Sequence, residues 1–272
     1  MPHPGTPQCG LRKTTVAENP LSTTPVIILA GGLGTRLRPV LADRPKGLAP
    51  VGSQPFLEIQ IELLRDQGAR RFVLCLGHFA DQIRDHFGDG SRWHVQLDYS
   101  VEGAQLLGTG GALKLAERFF TPRGLVLNGD TFLALDYARL LHHHQEERAL
   151  HKVLATLALA RAPDHSRYGN CILDASGRHL VGFAEKAEGG NGTAGWLNAG
   201  AYVVERELLR GLPAGKPCSL EREVFPEILR SGRTLAALTS DEWFFDIGTP
   251  EGLRAFTEYY RDLVEHCCVD GN

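Results

Sequence analysis

The sequence predicts an α/β protein. Three observations carry this. Short, β-branched apolar runs alternate with amphipathic runs of helical length along most of the chain. The first apolar run ends in a glycine cluster, as strand-to-loop turns at the mouth of such sheets do. The 272 residues contain no internal repeat and no long linker, so one sheet domain fits better than two separable ones.

Val26-Ile27-Ile28-Leu29-Ala30 is too short for a helix and β-branched enough for a buried strand. Gly31-Gly32-Leu33-Gly34 follows, then Thr35, Arg36, Arg38 and, a little later, Lys46. The glycines let backbone approach a ligand closely, and the cations add local positive charge. Phe56–Gln67 has the helical period and Gly68 closes it. Arg71–Gly77 is a second buried strand, Ala80–Phe87 a short helix and Val95–Ser100 a third strand. Gly108–Phe120 opens on a glycine turn and becomes a helix. Leu125–Leu127 is a strand that ends in Asn128-Gly129-Asp130, Tyr137–Gln145 a helix and Val153–Ala160 a longer strand.

The second part has a different texture. Asn170–Asp174 and His179–Ala184 read as a hairpin around Ser176-Gly177, followed by a strand over Trp196–Val204. Ser219–Arg230 is expected to be helical and Trp243–Phe245 a short strand. Thr249–Val264 is a final helix, capped by Thr249 with Pro250 at its first position. Residues 1–25, rich in Pro and Thr, read as a flexible tail, 26–264 as the folded domain and 265–272 as a C-terminal tail.

Composition bounds the partners. A formal charge of −3 with 22% charged residues gives no sign of a nucleic-acid-binding surface, so anion binding must be local. No run approaches the ~20 apolar residues of a membrane span, and the N-terminus lacks the apolar core of a signal peptide. A cytoplasmic location with reduced thiols is expected, since the six cysteines are irregularly spaced with no CxxC pair. His142-His143-His144 lies on an expected helix, where successive side chains point about 100° apart, and reads as a solvated face rather than a metal site.

The glycine loop decides the chemistry. A Walker loop needs a Gly-Lys-Ser/Thr ending that is absent here. The dinucleotide fingerprint fails at Leu37 and Pro39, and Glu58, at about the distance of its ribose-binding acid, falls inside a helical pattern. The string GGLGTRLRP at Gly31–Pro39, followed by RPKGLAPV at Arg44–Val51, resembles the signature of the sugar-1-phosphate nucleotidyltransferases. Further motifs extend the resemblance over about Val26 to Leu263: LGTGGA at Leu107–Ala112, LNGDTF around Asp130, Tyr168-Gly169-Asn170, Glu185-Lys186, Leu197-Asn198-Ala199-Gly200 and FFDIGTP around Asp246.

The resemblance implies a Rossmann-like, GT-A-like mixed and mostly parallel sheet flanked by helices, with a nucleotide half and a sugar half. It implies that Leu29, Gly31, Gly32, Gly34, Thr35, Glu102, Gly108 and Thr109 bind the nucleotide. Gly169, Glu185, Lys186 and Asn198 would hold the sugar phosphate. Arg36 would stabilise the leaving pyrophosphate, Lys46 would bridge the reacting phosphates, and Asp130 and Asp246 would hold Mg²⁺. Spacing alone could not have paired those two acids. Where the family usually has Lys-Pro-Leu or Lys-Pro-Met, this chain has Lys46-Gly47-Leu48, which loosens the backbone after the lysine.

The expected substrates are an NTP and a sugar 1-phosphate, with no nucleic acid or membrane partner and a homo-oligomer left open. The combination PFLEIQIELL, SVE, LGTGGAL, LNGDTF and FFDIGTPE most closely resembles the D-glycero-D-manno-heptose 1-phosphate guanylyltransferases. Mannose, glucose or N-acetylmuramate 1-phosphate, and UTP, dTTP, CTP or ATP, stay open, as does a non-catalytic sensor on the same fold. Retention of Arg36, Lys46, Asp130, Lys186 and Asp246 favours an enzyme.

Overall fold

The computed structural model describes residues 19–32, 34–37, 41, 44–161, 170–184 and 195–269. The first strand, β1 (Val26–Leu29), lies inside the main sheet. After it come a small hairpin, β2 (Pro50–Val51) and β3 (Gln54–Pro55), and helix α1 (Phe56–Asp66). Then follow β4 (Arg71–Leu76), α2 (Ala80–Phe87), β5 (Gln96–Val101), α3 (Gly108–Leu115), β6 (Arg123–Asn128), β7 (Thr131–Leu133) and α4 (Tyr137–His151). The second half is built from β8 (Ala155–Arg161), β9 (Asn170–Leu173), β10 (His179–Ala184), β11 (Trp196–Glu205), α5 (Arg206–Arg210), α6 (Phe225–Arg230), β12 (Leu235–Ser240), β13 (Phe244–Asp246) and α7 (Pro250–Val269).

The nine-stranded sheet has the order β5-β4-β1-β6-β11-β8-β12-β10-β9. β5, β4, β1 and β6 run parallel. The chain leaves β1 for β4 and β5 on one side, then returns to β6 on the other. This places a topological switch point between β1 and β6, where α/β sheets bind ligands. The expectation of a mostly parallel sheet needs correction. β11 is antiparallel to β6, β8 and β9, and β10 is antiparallel to β9 and β12, leaving β12 with β8 as the parallel pair of this half. Because β9 pairs back onto β11, this half curls into a small barrel-like sheet.

Strand periodicity sorts the core into two layers. Val26 and Ile28 face one side, with Leu57 and Ile61 of α1, Ile83 of α2 and Leu140 of α4. Ile27 faces the other, with Leu113 of α3, Leu208 of α5 and Ile228 of α6. A third cluster seats α7: Phe256 packs at 5.0 Å from both Phe56 and Phe132, beside Phe245 and Leu37.

Several expectations are corrected. Within the expected tail, residues 19–25 are packed on the domain. Asn19 caps a 3₁₀ turn at Pro20–Ser22, and Leu21 is fully buried in the first core layer. The C-terminal helix runs on to Val269 rather than stopping at 264. The expected helix over 219–230 divides into a π turn at Leu220–Val224 and α6. His143 and His144 are buried, not solvated. α4 is covered on more than one side, so its polar residues need partners. His144 takes Thr156 Oγ1 at 2.8 Å on Nδ1 and Glu205 Oε1 at 3.0 Å on Nε2. β7, β12, α5 and the β2–β3 hairpin add to the expected elements. No helix among the described residues is long and apolar enough to cross a membrane.

Candidate active site

β1 and β6 end in register, Leu29 opposite Asn128, so their loops open at one edge of the sheet. There a cleft of about 550 Å³ is lined from both strand ends. It gathers Leu29, Gly31, Gly32, Arg36, Lys46, Glu102, Gly108, Thr109, Asp130 and Asp246. These residues come from five separate stretches of sequence that the chain order alone does not bring together.

The loop after β1 is anchored by buried apolar side chains, Leu37 and Leu41. Leu37, in the 3₁₀ turn Thr35–Leu37, is fully buried among Phe56, Ile59 and Phe132. Burial of such a side chain contributes about 1.5–3 kcal/mol and leaves Arg36 at the cleft. Gly32 faces open space where a side chain would stand. Gly34 has φ +64, and a Cβ there would lie 3.0 Å from Lys46 Cγ, so glycine lets the lysine stem pass.

Lys46 begins a hydrogen-bonded 3₁₀ turn in which Leu48 N donates to Pro45 O and Ala49 N to Lys46 O. The turn is therefore closed although Gly47 replaces the proline the family pattern leads one to expect. Gly47 is buried, and a Cβ there would sit 3.2 Å from Leu57 Cδ2 of α1. Its role is close packing. Lys46 Nζ reaches Asp130 Oδ2 at 2.9 Å.

The two acids, 116 positions apart in the sequence, are joined by β7 and β13. Asp246 pairs with Thr131 across that ribbon, and Ile247 N donates to Asp130 O at 3.0 Å. Gly248 N donates to Asp246 Oδ1 at 2.8 Å. A Cβ at Gly248 would lie 2.7 Å from Asp246 Oδ1, 3.1 Å from an Arg36 guanidinium nitrogen and 3.5 Å from Asp130 Oδ2. Both carboxylates thus border one point. Arg36 lies 3.8 Å from Asp246 Oδ2. Each acid thus has a cation beside it.

Glu102 closes the other end of the cleft. Its carboxylate accepts from Leu107 N–H, and burial raises its pKa against that hydrogen bond. Its Oε2 lies 3.6 Å and 3.2 Å from where Cβ atoms would stand at Gly31 and Gly77. Thr109 Oγ1 donates to Glu221 Oε2 at 2.7 Å and accepts from Leu220 N at 2.8 Å, so its hydroxyl is already committed. The first amides of α3, at Gly110 and Gly111, are satisfied by Cys218 O.

Gly34 and Asn198 do not line the cleft. Asn198 Oδ1 accepts from Gly200 N at 3.0 Å. Gly200 has φ +71 at the bulge of β11, and a Cβ there would stand 2.5 Å from Asn128 Nδ2. Thr35 belongs to the 3₁₀ turn. Gly169, Glu185 and Lys186 lie outside the described residues. Sequence reasoning missed Glu221, Arg222 and Gly248. Glu221 gathers hydroxyls from Thr109, Tyr202 and Ser219, and both it and Arg222 line the cleft from the π turn. No sequence signal separates that turn from an ordinary helix start, although π turns recur at functional sites.

The family model for nucleotidyl transferases matches residues 25–262. The chain belongs to the nucleotidyl transferase family. It is 32% identical to a D-glycero-alpha-D-manno-heptose 1-phosphate guanylyltransferase of Campylobacter jejuni, over 88% of this chain and 99% of that protein. It is 33% identical to a UTP–glucose-1-phosphate uridylyltransferase of Synechocystis over 82% of this chain, but spans only 59% of that relative's length. HddC from Yersinia pseudotuberculosis, solved in complex with GMP-PN, superposes with a TM-score of 0.74 at 31% identity, covering 87% of this transferase and 99% of that chain.

Proposed function

We propose that the cleft transfers a nucleotidyl group from GTP to D-glycero-D-manno-heptose 1-phosphate, giving GDP-heptose and pyrophosphate. The observation that carries the reaction type is the meeting of Lys46 and Arg36 with Asp130 and Asp246 beside the Gly31–Gly34 loop. The relatives that match along nearly their whole length, a heptose 1-phosphate guanylyltransferase and HddC with GMP-PN, support the substrates.

A phosphate oxygen of the sugar 1-phosphate attacks the α-phosphorus in line, and pyrophosphate leaves. A phosphomonoester, with second pKa ~6, is already mostly dianionic at pH 7, so no strong base is needed. Cys75, the thiol at the cleft, is no nucleophile, because burial and then Glu102 push its pKa far up. Catalysis rests on positioning and charge neutralisation. Backbone amides of Gly32–Thr35 take the triphosphate, Arg36 the departing pyrophosphate and Lys46 the reacting phosphates.

Two carboxylates bordering one point offer the hard oxygen donors that Mg²⁺ prefers. Asp130 and Asp246 would hold it, and it would supply charge neutralisation at the phosphate oxygens. On the sugar side, Glu185 and Lys186 bind the hydroxyls and the phosphate, with Gly169 and Asn198 alongside, by their match to the family motifs. Arg222 adds a cation at the cleft wall.

Guanine is supported by Glu102. A carboxylate is acceptor-only with two oxygens, matching the adjacent N–H donors on one edge of guanine. Uracil and thymine offer that edge a single donor. A second reading, UTP with glucose 1-phosphate, is favoured by the uridylyltransferase relative. Pyrophosphate release over a grid of NTPs and sugar 1-phosphates separates the two. The first reading expects its maximum at GTP with the heptose, and a maximum at UTP overturns it.

A further inference from the structure

Away from the cleft, the end of α4 and the start of β10 bring together side chains that the proposed reaction does not use. Glu147 and His151 are four residues apart on α4 and so share a face. His179 meets them from β10. Its Nε2 lies 2.8 Å from Glu147 Oε2, and His151 Nε2 lies 3.8 Å from the same oxygen. The ligand atoms of all three residues fall within 4.8 Å of one another. Glu147 is 1% exposed, whereas the His151 side chain is 46% exposed, so the triangle is rooted in the protein and open to solvent on one side.

The surroundings orient these groups. His179 Nδ1 lies 3.1 Å from Asp174 Oδ2, and Asp174 is itself fixed by the Ser176 hydroxyl at 2.7 Å. Arg178 Nε donates to the other Glu147 oxygen at 2.6 Å, which leaves Oε2 facing the two imidazoles. A carboxylate on the far nitrogen is the usual way a protein fixes the tautomer of a metal-binding histidine. A neutral imidazole has one N–H, and carboxylates only accept. With that proton given to Asp174, the Nε2 lone pair of His179 points at Glu147 Oε2. Something positive must lie between them: a second proton or a metal ion.

We propose that Glu147, His151 and His179 form a binding site for a divalent transition-metal ion, Zn²⁺ by ligand type. Two imidazoles and a carboxylate are a borderline-soft set that Zn²⁺ takes with a solvent molecule in the fourth position. Mg²⁺, which prefers all-oxygen ligands, is not expected here. Ligands at ~2.0–2.1 Å in a tetrahedron stand about 3.3 Å apart, so the 2.8 Å and 3.8 Å separations from Glu147 each change by about 0.5 Å and the two imidazoles draw together as the ion binds. The ion takes the place of the His179 Nε2 proton, so one proton is released as it binds, and no oxidation change occurs. Bound there, it staples the C-terminal turn of α4 to the β9–β10 hairpin.

The test uses the full chain after chelation and dialysis. Zn²⁺ is titrated calorimetrically in two buffers of different ionisation enthalpy, and Co²⁺ is followed by visible absorption. The expected result is one saturable site, a tetrahedral Co²⁺ spectrum and release of about one proton per ion at a pH where His179 is protonated. His179→Asn should weaken binding by at least about 100-fold and Asp174→Asn by about 10–100-fold. His151→Ala, at an exposed position, keeps the test valid if Glu147→Gln fails to fold, and it should also abolish the tetrahedral spectrum. His142→Ala, on the solvent face of the same helix, should leave the affinity unchanged. No saturable binding, or binding that survives both His151→Ala and His179→Asn, overturns the proposal. In that case the cluster is an imidazolium clasp.

Discussion

Gly248 offers a sharp probe of the two-acid site, because its backbone conformation does not require glycine but its space does. No left-handed φ is recorded at this position, so alanine brings no conformational penalty there. Its Cβ would instead stand 2.7 Å from Asp246 Oδ1, where a carbon–oxygen contact rests at about 3.3 Å. Asp246 must then retreat by about 0.6 Å, away from Asp130 and off the Gly248 N–H that now holds it at 2.8 Å. A misplacement of this size at a reacting centre costs up to roughly 100-fold, or about 2.7 kcal/mol of barrier. We expect Gly248→Ala to lower kcat/KM for pyrophosphate release by about 30–100-fold, with a raised Mg²⁺ requirement. The melting temperature should change little, since the disturbed groups are at the cleft rather than in the apolar core. The assay is continuous pyrophosphate detection across a Mg²⁺ titration. Turnover within about two-fold of the parent at low Mg²⁺ would refute the claim that Asp246 works from its observed position.

Other perturbations separate the remaining roles. Arg36→Ala and Asp130→Asn should each lower kcat by at least ~100-fold with the fold intact by circular dichroism. Glu102→Gln should raise KM for GTP by about 10-fold or more, since a bidentate acceptor is worth roughly 1–3 kcal/mol, with a smaller effect on kcat. Glu102 titrates above its ordinary 4.5 because burial opposes its charge, so GTP affinity should fall as pH drops toward that raised value. Glu102→Gln should flatten that limb of the KM–pH profile. Burial holds His144 below its usual 6.5 against the pull of Glu205, so its contribution to stability is present above 6.5 and lost as pH falls through the lowered value. Melting temperature should therefore decline on acidification, with a shallower slope in His144→Gln. Phe256→Ala, at the centre of the aromatic cluster under α7, should cost about 3–5 kcal/mol in denaturant unfolding.

What the sequence made legible was local. The run Val26–Leu29, the glycines behind it and the cations after them read directly as strand, loop and anion site, because period and glycine chemistry act over a few residues. The hairpin around Ser176-Gly177 and the helix opening at Pro250 were legible for the same reason. Long-range pairing was not. Asp130 and Asp246 meet through the β7–β13 ribbon, whose strands of three residues each are too short to carry a period. The antiparallel insertion of β11 between β6 and β8 left no mark on its apolar run, which would suit a parallel strand equally well. A polar triplet on a helix suggests water, yet His143 and His144 are buried. The partners that hold His144, Thr156 and Glu205, come from strands later in the chain. Gly47 reads in the sequence as loosening the backbone after Lys46, whereas the close approach of Leu57 makes it a packing contact.

The proposed reaction requires Lys46, Arg36, Asp130 and Asp246 to act as one nucleotidyl-transfer centre. The most direct test is pyrophosphate release by the full chain with Mg²⁺, GTP and D-glycero-D-manno-heptose 1-phosphate. Stoichiometric GDP-heptose and pyrophosphate are expected, abolished by Lys46→Ala and by Asp130→Asn. Absence of pyrophosphate with every NTP and sugar 1-phosphate, or turnover that survives both substitutions, would contradict the proposed reaction.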